Sequence, residues 1–167
     1  TIKKFSPNDE VVILSDEKIP FYNREHIVDL IDGSRTKKEL FEMGLTPFKD
    51  LGVNFVPGNV DRVILSTTQS NSQKRDSQTH KLILNTGELI YFDKLLIATG
   101  GTPRKLGVPG EMLNGIHTMY TLQDVLDANS KLIKAKNVVL VGGGTVTLKV
   151  VRALFRAGFD KRISIVE

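Results

Sequence analysis

The sequence contains no cysteine. That excludes disulfides, thiolate metal sites and a redox-active cysteine pair within these 167 residues. Histidine is scarce: His26, His80 and His117 lie far apart, without H-x-x-H spacing. Neither a metal site nor a hydrolytic triad is expected from them, and His117 reads as structural. No apolar run approaches the ~20 residues of a membrane span, and no signal peptide is visible, so no membrane partner and a cytoplasmic location are expected. Charge of one sign is also lacking. The net charge of +4 comes from 23 basic and 19 acidic residues scattered along the chain, too diffuse for a nucleic-acid-binding face. What remains, 40% hydrophobic and 25% charged, is the composition of a globular protein large enough for one good core or two small lobes.

The most informative stretch is NVVLVGGGTVTLKVVRALFRAGFDKRISIVE, residues 137–167. Residues 138–141 are an all-apolar run typical of a strand buried on both faces. Gly142, Gly143 and Gly144 follow, then an amphipathic helix over 146–157 that Gly158 should stop. Ile163, Ile165 and Val166 form a second strand, closed by Glu167. Strand, glycine turn, helix, strand and acid make the opening of a dinucleotide-binding unit. A diphosphate must approach bare backbone N–H groups at a helix start, where the helix dipole favours negative charge. Gly142 and Gly144 suit the first two glycines of G-x-G-x-x-G, and Glu167 stands where a carboxylate reaches ribose hydroxyls. Thr147 occupies the third glycine position. The same pattern also fits a parallel α/β core with a glycine turn and no ligand.

The rest of the chain reads in order. Residues 1–10 suggest a helix tail and a turn, and 11–14 a buried strand followed by Asp16 and Glu17. The segment IPFYNR places Tyr22, Asn23 and Arg24 at a strand-to-helix junction, where Arg24 could contact a phosphate or a flavin ring edge. Two short helices follow. Thr36 and Glu39 make a capping box for the second and Gly44 ends it; Thr46 and Pro47 open a further turn that Gly52 stops. Residues 53–56 are a strand. Residues 60–66, 81–84 and 89–92 form an antiparallel meander whose last hairpin turns at Asn85-Thr86-Gly87; the polar stretch 67–80 reads as a loop. A buried strand over 95–98 should lead into Thr99, Gly100 and Gly101. Thr121 caps a helix running to about residue 134, with Leu122, Val125, Leu126, Leu132 and Ile133 apolar.

Three stretches, IPFYNR, DKLLIATGGTPRKLGVPG and NVVLVGGG with its trailing Glu167, occur in order and at suitable spacing. Together they resemble the FAD-dependent pyridine nucleotide oxidoreductases, closest to the branch of NAD(P)H:rubredoxin reductases and the flavin part of NAD(P)H nitrite reductase. The resemblance implies an α/β, Rossmann-like FAD/NAD(P)-binding fold with a three-stranded antiparallel meander. It implies a partial FAD-binding domain over 1–111 and the start of an NAD(P)-binding domain over 112–167. The first strand-glycine-helix unit of that family is expected before Thr1 and further segments after Glu167, so the fold is expected to be incomplete at both ends. The implied cofactors are FAD and NAD(P)H. Asp16 or Glu17 becomes the FAD ribose carboxylate. Asn23 and Arg24 lie near the flavin or its phosphates, Val60 beside the adenine, and Ala98, Thr99 and Gly100 in backbone contact with FAD. Gly142, Gly143, Gly144 and Glu167 become the NAD site, the carboxylate favouring NAD over NADP.

The implied activity passes electrons from NADH through flavin to a protein or small-molecule acceptor. Lys149, Arg152 and Arg156 share one helix face that could dock an acidic electron-acceptor protein, although a solvated face is the simpler account of them. Thr147, and Lys149 where the family usually has a glutamate, are departures. They keep a second function open: a nucleotide-binding module of the same fold without turnover.

Overall fold

The computed structural model describes residues 2–19, 21–42, 48, 50–66, 80–159 and 162–167. The expected helix stop at Gly44, the turn at Thr46 and Pro47, and most of the polar stretch 67–80 lie outside these residues. The chain forms two compact units, one from Thr1–Pro20 with Thr46–Gly100, the other from Phe21–Leu45 with Gly101–Glu167.

In the first unit a short helix α1 (Ile2–Phe5) precedes β1 (Val11–Ser15). Strand β1 pairs in parallel with β2 (Val53–Pro57), from Val11 opposite Val53 to Ser15 opposite Pro57. A three-stranded antiparallel sheet follows, in the order β3 (Val60–Ile64), β4 (His80–Leu84), β5 (Leu89–Phe92). The β4–β5 hairpin turns as the Asn-Thr-Gly sequence expects: Gly87 has φ +87° and its N–H donates to the Leu84 carbonyl at 2.8 Å. Leu82 and Leu84 supply the buried apolar side chains of this sheet. Gly58, between β2 and β3, runs so close to Leu84 that a β-carbon there would lie 3.0 Å from Leu84 Cδ1.

The second unit contains a 3-10 helix (Arg24–Leu30), α2 (Lys37–Glu42), α3 (Leu122–Leu132), β6 (Asn137–Val141), α4 (Thr145–Arg156) and β7 (Arg162–Val166). Strands β6 and β7 are parallel, with Val141 opposite Val166. Helices α2, α3 and α4 all pack on the 3-10 helix. Their shared core is Tyr22, Ile27, Val28, Ile31, Leu40, with Leu122, Val125 and Ala128 from α3 and Val150, Ala153 and Leu154 from α4. The three- and four-residue spacing on α3 and α4 is what presents one apolar stripe to that core.

The helix ends follow local chemistry. Thr36 and Glu39 exchange a capping box: the Thr36 N–H donates to Glu39 Oε2 at 2.6 Å and the Glu39 N–H to Thr36 Oγ1 at 3.3 Å. Thr121 and Asp124 do the same for α3. Helix α4 stops at Gly158, φ +70°, in a Schellman motif: the Gly158 N–H bonds the Phe155 carbonyl and the Phe159 N–H the Leu154 carbonyl.

Three expectations are corrected. Residues 95–98 are not a strand, and they are not buried: Leu96 is 84% and Ile97 70% exposed. An apolar run becomes a strand only when a neighbour accepts its backbone hydrogen bonds, and none of the described residues pairs with it. The runs at 11–14 and 138–141 are strands but are not buried as expected: Val12 and Ile13 remain 36% and 37% exposed, Val139 and Val141 60% and 57%. Each belongs to a two-stranded sheet, and the helices spend their apolar stripes on the 3-10 helix. Ile133, counted with the apolar face of α3, is exposed because α3 ends at Leu132.

Candidate functional site

Strand β6 delivers the chain to Gly142, which has φ +97°, a conformation that a side chain would strain. Its N–H donates to the Val166 carbonyl at 2.7 Å, tying the turn to β7. Gly144 is the N-cap of α4 and makes no side-chain cap bond. The first N–H groups of any helix have no intrahelical acceptor; here they have no side-chain cap either. A β-carbon at Gly142 or Gly144 would meet no atom within 4 Å, so the space over the turn is open. Bare amides, a positive helix end and room above them suit an anionic diphosphate.

Glu167 belongs to the same place. A β-carbon at Gly143 would lie 2.7 Å from Glu167 Oε2, so the carboxylate rests against the turn only because residue 143 has no side chain. Thr147 is half-buried at the third position of α4 and donates its hydroxyl to the Gly142 carbonyl at 2.6 Å. Of the residues singled out from sequence, Gly142, Gly143, Gly144 and Glu167 are thus brought together.

Asn23 and Arg24, in the same unit, have local partners. Asn23 caps the 3-10 helix, its Oδ1 accepting from the Glu25 N–H at 3.1 Å. The Arg24 guanidinium donates to the Tyr120 carbonyl at 2.9 Å and lies 4.5 Å from that ring's centroid. Tyr120, which sequence reasoning missed, also accepts the Gly101 N–H on its hydroxyl at 2.9 Å. Its only sequence signal is its place beside the Thr121 cap. The basic face of α4 is partly engaged as well. Lys149 Nζ donates to the Glu25 carbonyl at 3.3 Å, and Arg156 sits 3.8 Å from Asp32. Burial pushes the Asp32 carboxyl up, but hydrogen bonds from Ser34 and the Arg156 charge outweigh it and hold the group below its ordinary value.

Asp16, Glu17, Val60, Ala98, Thr99 and Gly100 belong to the first unit. Asp16 is exposed and Glu17 half-buried at the end of β1, where the Glu17 N–H bonds Ser15 Oγ and the Gly58 N–H bonds the Ser15 carbonyl at 2.8 Å. The strand bearing Val60 begins two residues beyond Gly58; Val60 is 37% exposed and pairs with Leu84. Ala98, Thr99 and Gly100 are exposed, and Gly100 has φ +70°. An apolar hollow of about 290 Å³ opens elsewhere, between the ends of α3 and α4 beside Leu132, Leu154 and Phe159, away from the glycine turn.

Comparison with known proteins meets this geometry. Over 80 residues the chain is 35% identical to the ferredoxin–NAD(+) reductase component of the p-cumate 2,3-dioxygenase system of Pseudomonas putida, covering 48% of the chain and 20% of that relative. Over 153 residues it is 25% identical to the large subunit of the NAD(P)H nitrite reductase of Klebsiella oxytoca, covering 92% of the chain and 15% of the relative. The chain therefore spans about a fifth or less of these relatives' length. The crystal structure of a ferredoxin reductase from Rhodopseudomonas palustris superposes with a TM-score of 0.74 at 19% identity, over 98% of this chain and 37% of that one. The fold is thus the Rossmann-like α/β fold of FAD- and NAD(P)-binding oxidoreductases. The family model for pyridine nucleotide-disulphide oxidoreductases matches residues 2–167, and the chain belongs to that family.

Proposed function

We propose that this chain serves an FAD-dependent NAD(P)H oxidoreductase that passes electrons from NADH through flavin to a redox protein or a small-molecule acceptor. The observation that carries this reading is the uncapped start of α4 behind the Gly142 turn, with Glu167 lying on it. The open amides would receive the nicotinamide dinucleotide's diphosphate, and Glu167 would accept hydrogen bonds from the adenosine ribose. A carboxylate there disfavours a 2′-phosphate by like charge, which supports NADH over NADPH. The residues fit FAD as well. Asp16 and Glu17 follow a parallel strand, where a ribose carboxylate belongs, Val60 opens the strand two residues beyond Gly58, whose N–H bonds the Ser15 carbonyl, and Ala98, Thr99 and Gly100 are exposed and outside any strand. The family resemblance also assigns Asn23 and Arg24 to the flavin or its phosphates. In this reading residues 1–111 serve FAD and 112–167 begin the NAD(P) domain, a functional division that does not follow the compact units.

FAD held by these residues would supply the redox chemistry between NADH and the acceptor. In this reading the chain binds and orients the two carriers. It contains no cysteine, so the disulfide chemistry in the family's name does not run through these residues. No described helix is long and apolar enough to cross a membrane. Lys149 and Arg156 are engaged with the 3-10 helix segment, so an acidic acceptor protein would meet Arg152 more directly than either. A second reading, a binding module without turnover, draws support from Thr147 at the third glycine position and from Lys149.

Visible absorption of the protein, before and after anaerobic NADH, tests the proposal. A flavin spectrum that bleaches with NADH supports the oxidoreductase. A colourless protein that binds NADH supports the module, and a protein that binds neither cofactor overturns both.

A further inference from the structure

Thr147 is the departure from the glycine pattern that the dinucleotide reading does not explain. A glycine at this position allows close helix–strand packing, yet α4 forms with a threonine here and buries its stripe without difficulty. The side chain is turned inward. Its hydroxyl lies 2.6 Å from the Gly142 carbonyl oxygen, a short and well-made O–H···O bond. Both backbone groups of Gly142 are thereby held, the N–H by the Val166 carbonyl at 2.7 Å and the C=O by Thr147. One restraint comes from β7 and the other from α4, and between them they set the φ +97° turn.

We propose that Thr147 is a positioning residue for the diphosphate of the nicotinamide dinucleotide, a proposal that rests on the NAD site described above. It fixes the first glycine of the turn, so that the amides beyond it face the ligand before the ligand arrives. Affinity gained this way comes from ordering avoided on binding rather than from a new contact. The hydroxyl proton also faces the Gly142 carbonyl oxygen and offsets its negative potential at a turn that must receive an anion. A glycine at 147 could do neither. On this proposal the threonine substitutes for close packing, and the module without turnover keeps only Lys149 in its support.

The test is NADH affinity of the 167-residue chain and its variants by calorimetry, with hydrogen exchange of the unliganded turn. Thr147→Val removes the hydroxyl at nearly constant shape and is expected to weaken NADH binding about tenfold, the size of one hydrogen bond. Thr147→Ser keeps the hydroxyl and is expected to stay within about twofold of the parent. Amide exchange at 143–145 should quicken in Thr147→Val and not in Thr147→Ser. Thr147→Ala gives the same reading as the valine variant if that one does not fold. Should the parent bind NADH while the valine or alanine variant binds equally well, or should serine lose as much as valine, Thr147 has no positioning role and the NAD site stands. A parent that does not bind NADH removes the site and this proposal together.

Discussion

The Glu167 carboxylate occupies the place where residue 143 would carry a side chain: a β-carbon on Gly143 would stand 2.7 Å from Glu167 Oε2. The middle glycine of the turn is thus explained by a contact with the acid, not by backbone strain. The obstructing atom is the end of a flexible side chain, so Gly143→Ala should fold normally with Glu167 swung aside. Thermal stability is expected to change little, and NADH affinity to fall about fivefold as the ribose contact is displaced, a loss of about 1 kcal/mol. Unchanged affinity in a well-folded Gly143→Ala would separate the acid from the dinucleotide site.

Gly142 makes the opposite case. Space above it is open, but its φ of +97° is a conformation that residues with a β-carbon rarely adopt. Gly142→Ala should lower stability by roughly 1–2 kcal/mol. Gly144, at φ −74° and ψ 179°, has no such restriction, and Gly144→Ala should cost less. Urea midpoints of the two variants decide the point; equal losses would mean that the turn relaxes at Gly142.

Much of this was legible because it is local. The Thr36–Glu39 capping box, the Thr121 cap, the Asn-Thr-Gly hairpin and the Gly158 helix stop each depend on residues a few positions apart, and all formed as read; that Asp124 completes a second box at Thr121 was not read. The glycine turn and its acid were legible because one β-α-β unit brings them together. What failed was any statement about cover. The residues Leu-Leu-Ile-Ala at 95–98 have the composition of a strand, but composition does not provide a pairing neighbour. The apolar run at 138–141 does form a strand, yet nothing in its periodicity says that α4 will spend its stripe on the 3-10 helix. Tyr120 was missed because its partners, Arg24 and Gly101, are distant in sequence and no pattern links them.

Tyr22 shows a further long-range dependence. It is 7% exposed, and its hydroxyl accepts the N–H of Leu122, the first residue of α3, at 3.1 Å. That N–H has no intrahelical acceptor. Tyr22→Phe keeps the ring and removes the acceptor, leaving a buried donor unsatisfied at a cost of about 1–3 kcal/mol. Denaturant unfolding should show that loss; if stability is unchanged, water or another group takes the N–H and the hydroxyl is dispensable.

Asp124 should impose an acid limit on α3. Burial raises its carboxyl pKa, but hydrogen bonds from the Thr121 and Tyr120 N–H groups and the Thr118 hydroxyl outweigh that and hold it below its ordinary value of 3.8. The folded protein therefore binds fewer protons at this group than the unfolded chain does near that value. Stability contributed here is fully present above the unfolded value and is lost as pH falls through the folded one. Asp124→Asn removes the charge and its pH dependence together. At neutral pH the parent should be the more stable, by about 1 kcal/mol for a cap of this kind. The difference should shrink steadily as pH falls below the ordinary aspartate value. Melting curves of parent and variant across that range measure it, and a gap that stays constant down to strong acid would show that the cap works through shape and hydrogen bonding alone, without the carboxylate charge.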